Sequence, residues 1–317
     1  VKQSLSQLYH IRTYQPGDEV GQVAVYNEAT RAFPGYKLAT VDEVLRRYRS
    51  LEFDPLSKLY AVRNGRMVAY VSFSSNGRVS APWCLPDAAD AGSLLMEAAV
   101  NSMRQRGLNR AWAAYRADWT EIRRLLESFH FAQTIEIFNF IADIAKLPAN
   151  ADCAPFTIRK LDRNDIREAY NLDPTAFAVT SHEALAEAWL NGPYISADSF
   201  FVLQDANNRS AGVGLAIVNP QYADPSKIDS AMPCFRLGAV RTELERTKRV
   251  NGLFSYFSGS GDESVILRLL AEACRRFHAA GIAHVAAQCP SDRTNELAFY
   301  RKYFEPQKSF PILVREL

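Results

Sequence analysis

The sequence predicts an α/β (α+β) protein built from two tandem copies of one domain, and three observations carry that expectation. A short alternating segment, Ile11-Arg12-Thr13-Tyr14 with Asp18 following, returns 147 positions later as Ile158-Arg159-Lys160-Leu161 with Asp165. Near the end of each half, Trp112-Ala113-Ala114-Tyr115 corresponds to Val285-Ala286-Ala287-Gln288 and Phe129-His130-Phe131 to Lys302-Tyr303-Phe304, both at an offset of 173. Within both halves, runs with the two-residue period of a strand and the 3.6-residue period of a helix follow one another in the same order. The growth of the offset gives the second copy about 26 extra residues, most of them after Val218.

In the first copy an edge strand opens at Ile11, and Asp18 suits the N-cap of a helix over 18–32. A second amphipathic run predicts a helix over 41–51, and strands are expected at 58–63, 66–73 and 78–84. A long helix over 91–106, a strand at 110–116, a helix over 119–129 and a strand at 134–143 complete this half. The small, Pro-punctuated segment 146–155 reads as a linker between domains 1–145 and 156–317. In the second copy Asp165 suits a cap, and helices are expected near 163–172 and 181–190. Strands follow near 199–204 and 211–218, and Phe235–Thr242 reads as a further strand. The chain closes with helix 263–279, strand 284–289, helix 292–302 and strand 309–315, whose Pro311 suits a sheet edge.

Composition narrows the function. Of 317 residues 48% are hydrophobic and 23% charged, enough for two domains of common size and unlike a disordered chain. Lys and Arg number 37 against 35 Asp and Glu and are scattered, so nucleic acid is not an expected partner. No run approaches the 18 apolar residues of a membrane span, and Val1-Lys2-Gln3-Ser4 lacks a signal-peptide core, which makes a cytoplasmic, membrane-free protein the expectation. The five cysteines are dispersed in apolar contexts and read as reduced core thiols, and the five histidines lack metal-ligand spacing, so no metal is expected.

Three segments of the second copy concentrate polar chemistry. The first, Arg246-Thr247-Lys248-Arg249-Val250-Asn251-Gly252, follows the expected strand 235–242 and gathers three cations. The second is Leu297-Ala298-Phe299-Tyr300-Arg301-Lys302-Tyr303-Phe304, on the penultimate helix. The third is the polar cluster Ser291-Asp292-Arg293-Thr294-Asn295-Glu296, which also suits helix capping.

With these segments, the element order seen twice resembles the GCN5-related N-acetyltransferase (GNAT) superfamily, in particular its tandem, mycothiol-synthase-like members. The resemblance covers nearly the whole chain. It implies that each domain is a mixed, mostly antiparallel twisted sheet flanked by helices, and that the protein is an N-acyltransferase using acetyl-CoA. In that family a strand runs into a helix through R/Q-x-x-G-x-G/A, and backbone N–H groups at the helix start hold the diphosphate. Aligning Arg246 with the leading Arg makes Arg246, Lys248, Arg249, Val250, Asn251 and Gly252 the coenzyme A loop, with Arg249 and Asn251 at glycine positions. A competing alignment puts the loop at Ser258-Gly259-Ser260-Gly261-Asp262-Glu263, where the glycines fit but two acids stand against a diphosphate.

The resemblance further implies that Tyr300 protonates the departing thiolate and that Asn295 contacts the pantetheine arm. Backbone N–H groups along Val240, Arg241 and Thr242 would pair with the cofactor and polarise the thioester, and Glu243 and Glu245, the nearest acids in sequence, are the candidates to take the amine's proton, directly or through water. Transfer is then direct, from acyl-CoA to a small-molecule or peptide amine in a ternary complex, by a monomer or homodimer. Where the first copy should carry its loop it reads Pro86-Asp87-Ala88-Ala89-Asp90-Ala91-Gly92-Ser93, and Glu127 stands opposite Tyr300. The first domain is therefore expected to be degenerate and the second to bind acyl-CoA. The alternative is a catalytically inactive tandem fold serving as an acyl-CoA sensor or interaction scaffold.

Overall fold

A computed structural model of the chain describes residues 8–36, 38–49, 53–148, 156–174, 181–191, 197–218 and 252–317. Strand β1 (His10–Thr13) is followed by helices α1 (Asp18–Thr30) and α2 (Val41–Tyr48), then strands β2 (Lys58–Arg63), β3 (Arg66–Ser72) and β4 (Trp83–Cys84). Helix α3 (Ala91–Gln105), strand β5 (Arg110–Ala114), helix α4 (Thr120–Ser128) and strand β6 (Ala132–Asp143) come next. The second series runs β7 (Thr157–Lys160), α5 (Ile166–Leu172), α6 (His182–Ala186), β8 (Phe200–Gln204), β9 (Ser210–Ile217) and β10 (Gly252–Phe257). It ends with α7 (Glu263–Ala279), β11 (His284–Pro290), α8 (Thr294–Tyr303), β12 (Glu305–Pro306) and β13 (Phe310–Glu316).

The two series form two compact units, residues 1–136 with 309–317 and residues 137–308. In the first, β1, β2, β3 and β4 are antiparallel neighbours in that order. Arg78, ahead of β4, bridges in parallel to Trp112 of β5, and β5 pairs antiparallel with β13. Helix α2 starts at a reciprocal capping box between Thr40 and Glu43. Helix α3 turns Leu95, Met96, Ala99 and Met103 onto the sheet, where all four are fully buried.

In the second unit β7, β8, β9 and β10 are antiparallel neighbours. β10 lies parallel to β11, and β11 pairs antiparallel with residues 137–143 of β6. One sheet face packs Phe254 against Leu269, Leu270 and Phe277 of α7. The opposite face packs Phe200 and Leu253 against Ile166, Leu185 and Trp189. Apolar residues at three- and four-residue steps give α7 that single buried stripe, and Gly281 (φ 69°) turns the chain out after its last residue.

The repeat is visible as one ion pair made twice. Arg12 donates Nη1–H and Nη2–H to Asp18 at 2.6 and 2.7 Å, and Arg159 does the same to Asp165 at 2.6 and 2.5 Å. Asp165 stands at the N-cap of α5 without a side-chain capping bond, and Asp18 is the first residue of α1 rather than its cap. Gly17 caps α1 without a side chain, whereas Asp18 and Asp165 accept N–H bonds from Gln15 (2.7 Å) and Asp162 (2.8 Å), locking the chain that leads from strand to helix. Burial pushes both carboxyls up, but the guanidinium and N–H donors outweigh it and hold them below the usual range.

The compact units do not divide where the sequence expectation cut the chain. β11 takes seven register pairs from β6, so residues 137–143 belong with the second unit. β13 supplies β5 with its antiparallel partner through Ile312–Glu316, so the last strand belongs with the first. Of the expected linker, residues 149–155 lie outside the described residues, as do the expected insertion at 219–234 and strand 235–242. The free thiols of Cys84, Cys274 and Cys289 are raised by burial to about 12, 11 and 12. No described helix is long and apolar enough to cross a membrane.

Candidate active site

Strands β10 and β11 pair at only two positions, Gly252 with Val285 and Leu253 with Ala286. β10 nevertheless runs on to Phe257 and β11 to Pro290, each still paired on its outer side. Among the described residues the two strands therefore part after these two pairs, and a cavity of about 410 Å³ opens at the end of β10. Tyr256, the turn Ser258–Gly261 and the α8 start Asp292–Glu296 line it, with Leu172, Asp173 and Ile266.

The turn that enters α7 is open on the cavity side. Gly261 adopts φ +63°, and a Cβ there would stand 3.6 Å from Asn295 Nδ2, so the turn and the α8 start face each other closely. Two acids follow the turn, and both are engaged elsewhere. Asp262 Oδ1 accepts the Ser264 N–H (2.9 Å) as the N-cap of α7, and Glu263 accepts from Lys302 Nζ (2.6 Å) and the Tyr303 hydroxyl.

The cavity's charge is mostly negative. Asp173, Asp292 and Glu296 line it, and Arg293, the one Lys or Arg among its described lining residues, donates to Asp173. Glu296 Oε1 lies 3.8 Å from Arg293 Nη1. Burial raises the Glu296 carboxyl to about 7; Arg293 opposes the rise, and Asp173 and Asp292 add to it. The Tyr256 hydroxyl is buried with no hydrogen-bond partner among the described residues.

Of the residues expected to act, the structure places three. Gly252 opens β10, packed toward Phe277 and Ile282 in a strand rather than in a turn. Asn295 is exposed at the cavity rim. Tyr300 is 2% exposed, its ring stacked on Phe140 at 5.6 Å and its hydroxyl hydrogen-bonded to the Ser255 side chain, and it does not line the cavity. Val240, Arg241, Thr242, Glu243, Arg246, Lys248, Arg249, Val250 and Asn251 lie outside the described residues. The segment 258–263 of the competing alignment forms the turn between β10 and α7 and the first residue of that helix, and 246–251 of the other alignment lie outside the described residues. Sequence reasoning passed over Tyr256 and Glu296. The short apolar and aromatic run Leu253-Phe254-Ser255-Tyr256-Phe257 after Gly252 was the available signal for a strand carrying Tyr256.

The first unit has the same parting of strands, and its own side chains fill it. Val79 N–H donates to Trp112 O (2.8 Å) and Trp112 N–H to Gly77 O (2.8 Å). Two residues on, Ala81 N–H donates to the Tyr115 hydroxyl at 2.6 Å instead of to a strand. Tyr115 stacks on Trp119 (6.1 Å) and meets Trp83 edge-on (5.8 Å), with Phe33 stacked on Trp119 at 5.0 Å. The acids of the corresponding turn are tied down, Asp87 to Arg63 and Asp90 to the Tyr9 hydroxyl.

The sequence matches no family model and no curated protein. Solved structures match along the whole chain. A GCN5-related N-acetyltransferase from Sphaerobacter thermophilus superposes with a TM-score of 0.59 at 16% identity, covering 99% of this chain and 97% of its own. A tandem GNAT protein from the clavulanic acid biosynthesis pathway gives 0.56 at 12%, covering 97% and 98%. A GCN5-related glucosamine N-acetyltransferase region of a fungal multi-domain GH3 β-N-acetylglucosaminidase gives 0.62 at 13%, covering 97% of this chain and 38% of that one. Parallel strands that part after a short shared stretch, a turn into a long helix beyond them and the same plan in both units agree with these likenesses: the chain has the tandem GCN5-related N-acetyltransferase fold.

Proposed function

We propose that the protein is an acyl-CoA-dependent N-acyltransferase that moves an acyl group, most simply acetyl, to a primary amine by direct attack in a ternary complex. The observation that carries this reading is the parting of β10 and β11 over a lined cavity in the second unit, against an equivalent parting in the first that aromatic side chains fill. An exposed strand edge offers N–H and C=O groups to the two amides of a pantetheine arm, which pairs as an added strand would. At the end of that edge the turn 258–262 leads into a helix of 17 residues, whose first N–H groups favour an anion.

Shape therefore fits coenzyme A at this turn better than charge does. The described wall has one cation, already paired, and a diphosphate there calls for Arg246, Lys248 and Arg249, which this proposal retains as its screening charges. Backbone donors at Val240, Arg241 and Thr242 and contacts from Val250, Asn251, Gly252 and Asn295 remain the assignments that the family resemblance implies, and Glu243 is the base suggested by its place after the expected strand 235–242. The fold likeness supports coenzyme A chemistry in general and names no acceptor.

Calorimetric titration of the full chain with acetyl-CoA tests the reading, followed by thiol release with a panel of amines. Saturable binding and amine-dependent thiol release are expected, and no binding would end it. The sensor reading is favoured by the acids of the cavity, and it predicts binding with no thiol release for any amine.

A further inference from the structure

We propose that the Tyr256 hydroxyl, rather than that of Tyr300, faces the acyl thioester, and that Tyr256 and Glu296, the latter in place of Glu243, together carry the proton from the attacking amine to the departing sulfur. This rests on the acyltransferase reading of the second unit. Both side chains line the one cavity at the parting of β10 and β11, and Tyr300 does not.

The state of the two hydroxyls separates the tyrosines. Tyr300 is enclosed by Phe140, Phe254, Phe299 and Phe304, and its hydroxyl already has Ser255. Its ring lies 5.7 Å from that of Tyr256, whose hydroxyl is buried and has no partner among the described residues. A buried O–H left unpaired is costly in the folded protein, and a ligand acceptor atom in the cavity removes that cost. Tyr256 sits on β10 three residues beyond the last rung shared with β11, at the open end of the gap.

Glu296 is suited to accept a proton near neutrality. Arg293 and Asp292 face it from the approach to α8, and Asp173 from the end of α5. Tyr256 on β10, Cys289 on β11 and Tyr300 further along α8 also feel its charge. Burial holds its carboxyl at about 7, within the range where a general base works best. The balance is closed. A neutral amine forms the N–C bond as the C–S bond breaks, the nitrogen's proton passes to the Glu296 carboxylate, the Tyr256 proton passes to sulfur, and Glu296 returns a proton to the tyrosinate. No other reactant is needed.

Two measurements on the full chain test this. Without ligand, Tyr256→Phe removes an unpaired hydroxyl and is expected to raise the melting temperature by about 2–4 °C, whereas Tyr300→Phe loses a bonded one and lowers it. With acetyl-CoA, Tyr256→Phe is expected to bind about three- to tenfold more weakly and Tyr300→Phe within twofold of wild type. Calorimetry at pH 7.5 in two buffers of different ionisation heat should show proton uptake on binding by wild type, because the arriving anion raises Glu296 further, and none by Glu296→Gln. Binding with the same proton uptake in Glu296→Gln, or weakened by Tyr300→Phe and not by Tyr256→Phe, overturns the inference and leaves the acyltransferase reading standing. Failure of wild type to bind acetyl-CoA overturns that reading and this one with it.

Discussion

Arg159 and Asp165 show how a residue pair can mark a duplicated fold. The aspartate side chain is 7% exposed and the arginine 38%, so the guanidinium shields a carboxylate that water barely reaches. Arg159→Ala is expected to cost about 1.5–3 kcal/mol at pH 7, toward the lower figure because the arginine is partly solvated. The folded pKa of Asp165 lies below its unfolded value, so this stabilisation is present above about pH 3.9 and is lost as pH falls through the folded value. Urea denaturation should accordingly show a smaller difference between variant and wild type at pH 2 than at pH 7. Glu296 behaves in the opposite sense. Its folded pKa of about 7 is above the unfolded value, so the native chain loses stability as pH rises toward and past 7. Glu296→Gln should therefore gain on wild type in urea midpoint between pH 4.5 and pH 8, and an equal difference at both would contradict the raised carboxyl.

At the scale of elements, β9 depends on an absent side chain. A Cβ at Gly214 would stand 2.1 Å from Phe201 Cζ, and that ring is fully buried with Arg276 over it at 4.4 Å. Gly214→Ala is expected to destabilise by about 1–3 kcal/mol or more, read as a lower denaturant midpoint, because neither strand can move without breaking its ladder. The elements themselves were largely legible. Helix α7 starts and ends where its apolar period and flanking glycines indicate, and β2 matches its expected bounds. β10 was not expected, although the offset of 173 that relates the ends of the copies carries Val79–Cys84 onto Gly252–Phe257. The three cations at 246–249 favour a loop upstream of β10, because the acids after Gly261 count against a diphosphate at the turn that enters α7. That Asp262 caps a helix and Glu263 meets Lys302 depends on packing that no local pattern states. The same holds for Tyr256, whose buried hydroxyl lacks a partner among the described residues.

At the scale of the whole molecule, the two units trade strands. Residues 137–143 are ladder partners of β11 in the second unit, and residues 312–316 are ladder partners of β5 in the first. A chain cut in the 146–155 segment therefore gives two pieces that each keep the other's strand. Residues 1–148 leave β5 without β13, and residues 156–317 leave β11 without β6, exposing long edges of a kind that aggregate. Each piece made alone is expected to be insoluble or to lack cooperative unfolding by circular dichroism, while the two made together recover a single folded complex. Independent cooperative melting of either piece would contradict the exchange.

The exchange also sets an order of completion during synthesis. Residues 8–136 leave the ribosome first, yet their sheet lacks its β13 strand until 310–316 have been made. The second unit, 137–308, has all its described strands in hand before that point. The half that is begun first is thus finished last, and for the time needed to translate some 170 residues, about 10–35 s at common rates, β5 waits with an open edge for a nascent-chain chaperone to cover.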